Sequence, residues 1–152
     1  MANFYGSART NYFKVKDKEV FLKALEHVPD IEVVNEKTPP YSSEGIVPEN
    51  FDFGGIGILV SEGDSGCFPS WGYDDDNDEE IEFDLPVLVS EHLIDGEVAI
   101  FMECGAEKLR YVTGWAQAIN NKAETKFISL TDIYGVAKEL TNRPDDITVA
   151  EY

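Results

Sequence analysis

Cysteine is scarce in this chain, with two residues, Cys67 and Cys104, among 152. That is too few for a disulfide scaffold, and the expectation is a pair of reduced thiols in an intracellular protein. Cys104 ends an apolar run, where a thiol is normally buried and inert. Long apolar runs are also missing. Residues 56–60 and 98–102 are the longest and stop far short of the ~20 needed to cross a bilayer. The opening MANFYGSARTNYFKV has no apolar stretch of the signal-peptide kind. A soluble, cytoplasmic chain with no membrane partner is expected.

Ligand spacings are lacking as well. His27, His92 and the two cysteines form no pair at zinc-site spacing, so no metal or cofactor is expected. Gly54, Gly55 and Gly57 precede or begin a strand, whereas phosphate-binding glycines follow a strand and open a helix, and no Gly-Lys-Ser/Thr comes after them. The number of carboxylates identifies no glycosidase-type pair. A Cys104–His92 nucleophile would need a thiol outside the core. No catalytic residue is assigned, and an enzyme is not expected.

The most informative absence is positive charge in the middle of the chain. There are 30 Asp and Glu against 12 Lys and Arg, for a net charge of −18. Residues 1–40 hold six basic and six acidic residues, and so do residues 108–152. Residues 41–107 hold 18 acidic residues and no Lys or Arg, so the whole excess lies there. Such a surface repels phosphate, which argues against direct binding to nucleic acid or anionic membrane. A hydrophobic content of 43% still supplies a core, so wholesale disorder is not expected.

The acidity peaks over residues 74–84, where Asp74, Asp75, Asp76, Asp78, Glu79, Glu80, Glu82 and Asp84 make eight of eleven. The first half reads as a loop. In the second half Glu80, Glu82 and Asp84 alternate with Ile81, Phe83 and Leu85, the period of a half-buried strand. Carboxylates two residues apart on a strand recur every ~6.6–6.8 Å. Such a row suits the cationic groove of a nucleic-acid-binding protein. Glu44, Glu49 and Asp52 could extend it. Read as a calcium loop from Asp74, the run places Glu79 where glycine is needed and Leu85 where glutamate is needed. A weak cation site of another kind stays as an alternative. Phe68, Trp71 and Tyr73 precede the run, either as interface anchors or as pins to the core.

The rest reads as one α+β domain over residues 1–152. A strand at 8–15, a helix at 18–27 capped by Asp17, and a strand at 31–35 form a β-α-β opening. A strand at 55–60 follows an irregular stretch, and 61–72 reads as a Gly/Ser-rich turn region. A short strand at 81–84 leads into a helix at 86–93 with Asp84 as cap. Strands at 97–104 and 108–120 are joined by a turn at 105–107. A hairpin at Asn120-Asn121-Lys122 leads to a strand at 126–130. Thr131 would cap a last helix with Ile133, Val136, Ala137 and Leu140 inward. Residues 142–152 form a tail docked by Ile147 and Val149. His27 and His92 are expected at helix ends on the surface, and Arg110 and Trp115 in structural places. The architecture expected is a mostly antiparallel sheet with two main helices on one face, resembling an extended ferredoxin-like arrangement.

Small size, no catalytic motif and localised acidity resemble the acidic anti-defence proteins of phages and plasmids, including DNA-mimicking anti-restriction proteins and some anti-CRISPR proteins. The segments ARTNYFKVKD, MECGAEKLRYVTGWAQAIN and SLTDIY also look like those of small proteins carried by bacterial mobile elements. Known mimics often spread acidity along an elongated surface or dimer, whereas here it concentrates in one segment. The resemblance implies a non-enzymatic inhibitor that binds a basic, nucleic-acid-binding host defence protein by imitating phosphate charge. The alternatives are a general protein-interaction domain of a mobile element with a solvated acidic loop, and a weak cation-binding module.

Overall fold

The computed structural model describes residues 4–39, 45–60, 66–74, 76–107 and 111–149. Its frame is a six-stranded, fully antiparallel sheet in the order β2-β3-β1-β6-β7-β8. The strands are β1 (Phe4–Thr10), β2 (Ile31–Asn35), β3 (Ile56–Val60), β6 (Val98–Glu107), β7 (Tyr111–Asn120) and β8 (Thr125–Ser129). A separate two-stranded hairpin joins β4 (Trp71–Asp74) to β5 (Glu79–Glu82). Helices α1 (Lys18–Ala24), α2 (Leu85–His92) and α3 (Ile133–Ala137) complete a mixed α+β architecture. Among the described residues no helix is long and apolar enough to cross a membrane.

Both core helices start where a side-chain cap can form. Asp17 accepts from the Val20 N–H at 3.0 Å, and Asp84 accepts from the Val87 N–H at 3.1 Å. Pro86 sits in the first turn of α2, where its missing N–H costs nothing. The two helices pack together on one side of the sheet. Phe21, Leu25, Leu85 and Val89 meet Ile56, Ile58, Ala99, Phe101 and Ile119 there as one core. Phe13 and Phe21 contact edge to face with centroids 5.9 Å apart.

Strand β1 ends at Thr10 instead of running over 8–15. The Asn11 side chain takes over the ladder to β6, accepting from the Ile100 N–H at 2.8 Å and donating to the Val98 carbonyl at 3.1 Å. The main chain thereby turns away to pair Phe13 with Ile56 at 2.9 and 2.8 Å. Buried Thr10 closes the gap by accepting from the Ile58 N–H at 2.8 Å.

Three further expectations are corrected. The turn placed at 105–107 is strand, because Gly105 and Ala106 pair with Thr113 and Val112; the connection lies outside the described residues, as does Arg110. The turn region expected at 61–72 gives way at Trp71 to β4, which also carries Asp74 into a strand. Thr131 does not cap the last helix: it lies inside a 3-10 turn at Leu130–Asp132 that leads into α3, and the Ser129 N–H before that turn donates to the Asp132 carboxylate at 2.6 Å.

That last helix does not face the core. Ile133, Val136 and Leu140 are exposed, Leu140 at 88%, and Ala137 is half-buried. Helices α1 and α2 already occupy the helical side, while Leu130 leads the chain over Gly114 on the other side of the sheet. In the tail, Ile147 is half-buried and Val149 is exposed.

Candidate functional site

The β4–β5 hairpin organises the acidic run. Its register sets Trp71 opposite Glu82 and Tyr73 opposite Glu80, so these four share one face of the ribbon. Trp71 is 61% exposed and Tyr73 44%, and both glutamates are exposed beside them. The other face carries Gly72, which is buried, and Ile81. Gly72 lies so close to the end of α1 that an added Cβ would meet the His27 carbonyl oxygen at 1.9 Å. The Phe83 N–H donates to the Ser70 carbonyl at 3.0 Å and fixes the base of the ribbon. Contact of glycine with the helix end therefore turns the aromatic and acidic side outward.

Asp74 builds the tip. Its carboxylate accepts from the Asp76 N–H at 3.0 Å and from the Asn77 side-chain amide at 2.5 Å. The Asn77 amide is the main cause that holds the Asp74 carboxyl below the usual aspartate range, helped by the backbone N–H groups of Asp76 and Asn77. Asp78 adopts the left-handed region at φ 56°, and its carboxylate accepts from the Tyr73 hydroxyl across the hairpin. Among the described residues the ion pairs are Lys37–Asp52 at 3.2 Å and Arg143–Asp146 at 3.4 Å. No Lys or Arg there neutralises a hairpin carboxylate.

The sequence-derived residues divide into three groups. Trp71, Tyr73, Asp76, Asp78, Glu79, Glu80 and Glu82 gather on the hairpin. Asp74 belongs to it too but is committed to the turn, and Asp84 is committed to capping α2. Asp84 therefore leaves the row expected with Glu80 and Glu82. Glu49 is exposed in the β2–β3 connection. Asp52 lies near the start of α1, where Lys18 covers the neighbouring Phe53 ring at 5.2 Å; the hairpin docks at the end of α1. Asp52 accepts from the Gly54 N–H at 2.9 Å and pairs with Lys37, and these two contacts, the first foremost, lower its pKa. Glu44 and Asp75 lie outside the described residues.

Of the three aromatics before the run, Phe68 alone pins the loop. Its ring meets Phe101 at 5.2 Å and Trp115 at 6.3 Å. A hollow of about 580 Å³ lies beside the hairpin base, lined by Phe68, Ser70, Glu82, Asp84, Pro86 and Gln117 among others. Sequence reasoning missed this hollow and the pairing of aromatics with glutamates. The Trp-Gly-Tyr alternation was the available signal. His92 is half-buried with its ring 5.5 Å from Phe21, so it is not a plain surface residue. Cys104 is exposed, not buried. Among the described residues no three His, Cys, Asp or Glu side chains are grouped to hold a metal ion.

No protein-family model matches the chain, and no characterised protein or solved structure matches it either.

Proposed function

We propose that the chain is a non-enzymatic inhibitor that binds a basic, nucleic-acid-binding protein through the β4–β5 hairpin. The observation that carries this reading is the hairpin's outward face. There, exposed Trp71 and Tyr73 stand directly across from Glu82 and Glu80, which form no ion pair among the described residues. Large aromatics supply contact area, and flanking carboxylates supply steering and phosphate-like charge. Asp76, Asp78 and Glu79 extend that charge to the tip. The partner class is a host defence nuclease or effector in the cytoplasm, following the resemblance to anti-defence proteins. The finer fold reading goes with this proposal. The order β2-β3-β1-β6, with α1 after β1 and α2 before β6, supports a ferredoxin-like arrangement extended by β7, β8 and the hairpin.

The test is capture from a bacterial lysate at low and high salt, with competition by duplex DNA. The informative variant neutralises Asp76, Asp78, Glu79, Glu80 and Glu82 to their amides and keeps Asp74 and Asp84, whose carboxylates hold the turn and the helix cap. Wild type is expected to retain a nucleic-acid-binding protein at low salt only and to release it to DNA. Equal retention by the variant overturns the proposal.

A further inference from the structure

Gln117 is out of keeping with its neighbours on the helical side of the large sheet. One row crosses four strands there, Thr10, Phe101, Gln117 and Phe127. Thr10 and Phe101 are fully buried, Gln117 is half-buried and Phe127 is exposed. Helix α2 packs on β6 and β7, and the hollow of about 580 Å³ opens between its first turn, the hairpin base and Gln117. Its aromatic walls are held in place by the core. Phe68 rests on Phe101 at 5.2 Å, Phe83 packs on the core, and the Phe83 N–H holds the Ser70 carbonyl. Its polar groups are largely unspent. Glu82 is exposed and forms no ion pair among the described residues. Asp84 gives one carboxylate oxygen to the Val87 N–H, and no hydrogen bond among the described residues takes the other. The Gln117 carboxamide has no hydrogen-bond partner among the described residues. No Lys or Arg among them lines the hollow.

We infer that this hollow is a socket for one arginine side chain of the basic partner, which rests on the hairpin being the binding element. Glu82 belongs both to the hairpin's outer face and to the hollow, so a protein laid on the hairpin reaches the socket directly. Charge selects a cation, because Glu82 and Asp84 line the hollow and no basic residue opposes them. An anion drawn to the first turn of α2 finds that end already held by the Asp84 carboxylate, and Pro86 offers it no N–H. A bare metal ion finds no third His, Cys, Asp or Glu grouped with these carboxylates among the described residues. Between the two cationic side chains, shape decides. A guanidinium is flat and weakly hydrated, and its donors form a rigid fork, so it can lie against a ring while its edge meets a carboxylate and a carboxamide oxygen. Phe68 and Phe83 offer the rings, and Glu82 and Gln117 offer the acceptors. An ammonium is more strongly hydrated and gives up more on entering between aromatic walls.

Titration of the full, isotope-labelled chain with N-acetyl-arginine methylamide, followed by NMR, tests the inference. The Gln117 side-chain amide and the backbone amides of Phe68 and Phe83 are expected to shift together and to saturate, with a Kd on the order of millimolar. N-acetyl-lysine methylamide at equal ionic strength should bind roughly tenfold more weakly. Glu82→Gln should weaken arginine binding roughly tenfold through the loss of a charge-assisted bond, and Gln117→Leu several-fold. Glu91→Gln removes the same charge from an exposed position of α2 outside the hollow and should change nothing. The spectrum itself reports whether each variant folds, and exposed Glu82 can lose its charge without disturbing the core. No saturable shift at Gln117, equal binding of the lysine probe, or a folded Glu82→Gln chain that binds arginine as wild type does each overturns the inference. The lysate capture answers separately. Arginine seated here with no nucleic-acid-binding protein captured overturns the hairpin reading and leaves the socket; capture with no arginine seated overturns the socket alone.

Discussion

Thr10 shows how much one hydroxyl does where β1 leaves the sheet. It is fully buried, donates to the Asn11 carbonyl at 2.8 Å and accepts from the Ile58 N–H at 2.8 Å. Thr10→Val keeps the shape and strands that amide. The expected loss is about 1–3 kcal/mol, read as a lower denaturant midpoint at unchanged slope, with Thr10→Ser close to wild type. Side-chain roles of this kind were only partly legible in the sequence. Asp17 and Asp84 announce themselves as caps because each stands just before an apolar helical pattern. Thr10 and Asn11 do not, because nothing local marks the point where a backbone ladder is handed to an amide side chain. The same limit applies to the acidic run, where eight carboxylates look alike in sequence. Contacts separate Asp74 and Asp84, which hold structure, from Glu80 and Glu82, which face solvent. Asp84→Ala should cost about 0.5–2 kcal/mol through the lost cap, while Glu80→Gln stays within about 0.5 kcal/mol in thermal unfolding.

At the scale of elements, periodicity located strands well wherever the alternation was clean. Residues 31–35 emerged with the expected bounds, and β3 and α2 shifted by a residue or so. The pattern failed at the last helix, where the helical spacing of Ile133, Val136, Ala137 and Leu140 predicts a buried stripe, but all except half-buried Ala137 are exposed. Apolar spacing shows that a face is available for burial; it does not say whether this chain or another buries it. The hairpin was half legible: the β5 alternation was visible, but β4 was hidden inside a Gly/Ser-rich stretch. Gly72 is the residue that docks it. Gly72→Ala must push the ribbon from the His27 carbonyl, with a loss of roughly 1–3 kcal/mol by the cost of overpacking. Gly135→Ala in α3, where nothing lies within 4 Å of the added methyl, should be neutral or slightly stabilising. Acid probes the same hairpin. The Asp74 pKa is lowered in the folded state, so its contribution is complete above the ordinary value of 3.8 and is lost as pH falls through the lower folded value. Amide protection factors at Asp76 and Asn77, measured against the intrinsic exchange rate at each pH, should thus hold at pH 5 and fall only in stronger acid; a fall already near pH 5 contradicts the turn geometry.

For the whole molecule, charge and fold pull in opposite directions, and salt separates them. The 18 unbalanced carboxylates lie in residues 41–107, and the described ion pairs engage two acidic residues, Asp52 and Asp146. Mutual repulsion therefore opposes the folded state, and it acts over distances that salt screens: the Debye length falls from ~10 Å at 0.1 M to ~3 Å at 1 M. The core itself is apolar, with buried Phe13, Phe21, Phe101, Ile58 and Leu93, and does not weaken on screening. Raising sodium chloride over this range should raise the melting temperature. A partner held by the hairpin's carboxylates should respond the other way, with affinity falling steeply as the same charges are screened. The five-residue amide variant at Asp76, Asp78, Glu79, Glu80 and Glu82 removes part of the repulsion, so it should melt higher than wild type in low salt and converge with it in high salt. Magnesium provides the control for the cation alternative. If it acts by screening, its effect is graded and matches calcium at equal ionic strength. A saturable calcium-specific rise in melting temperature would instead assign the carboxylates to an ion, and with them the reason this chain tolerates so much charge in one segment.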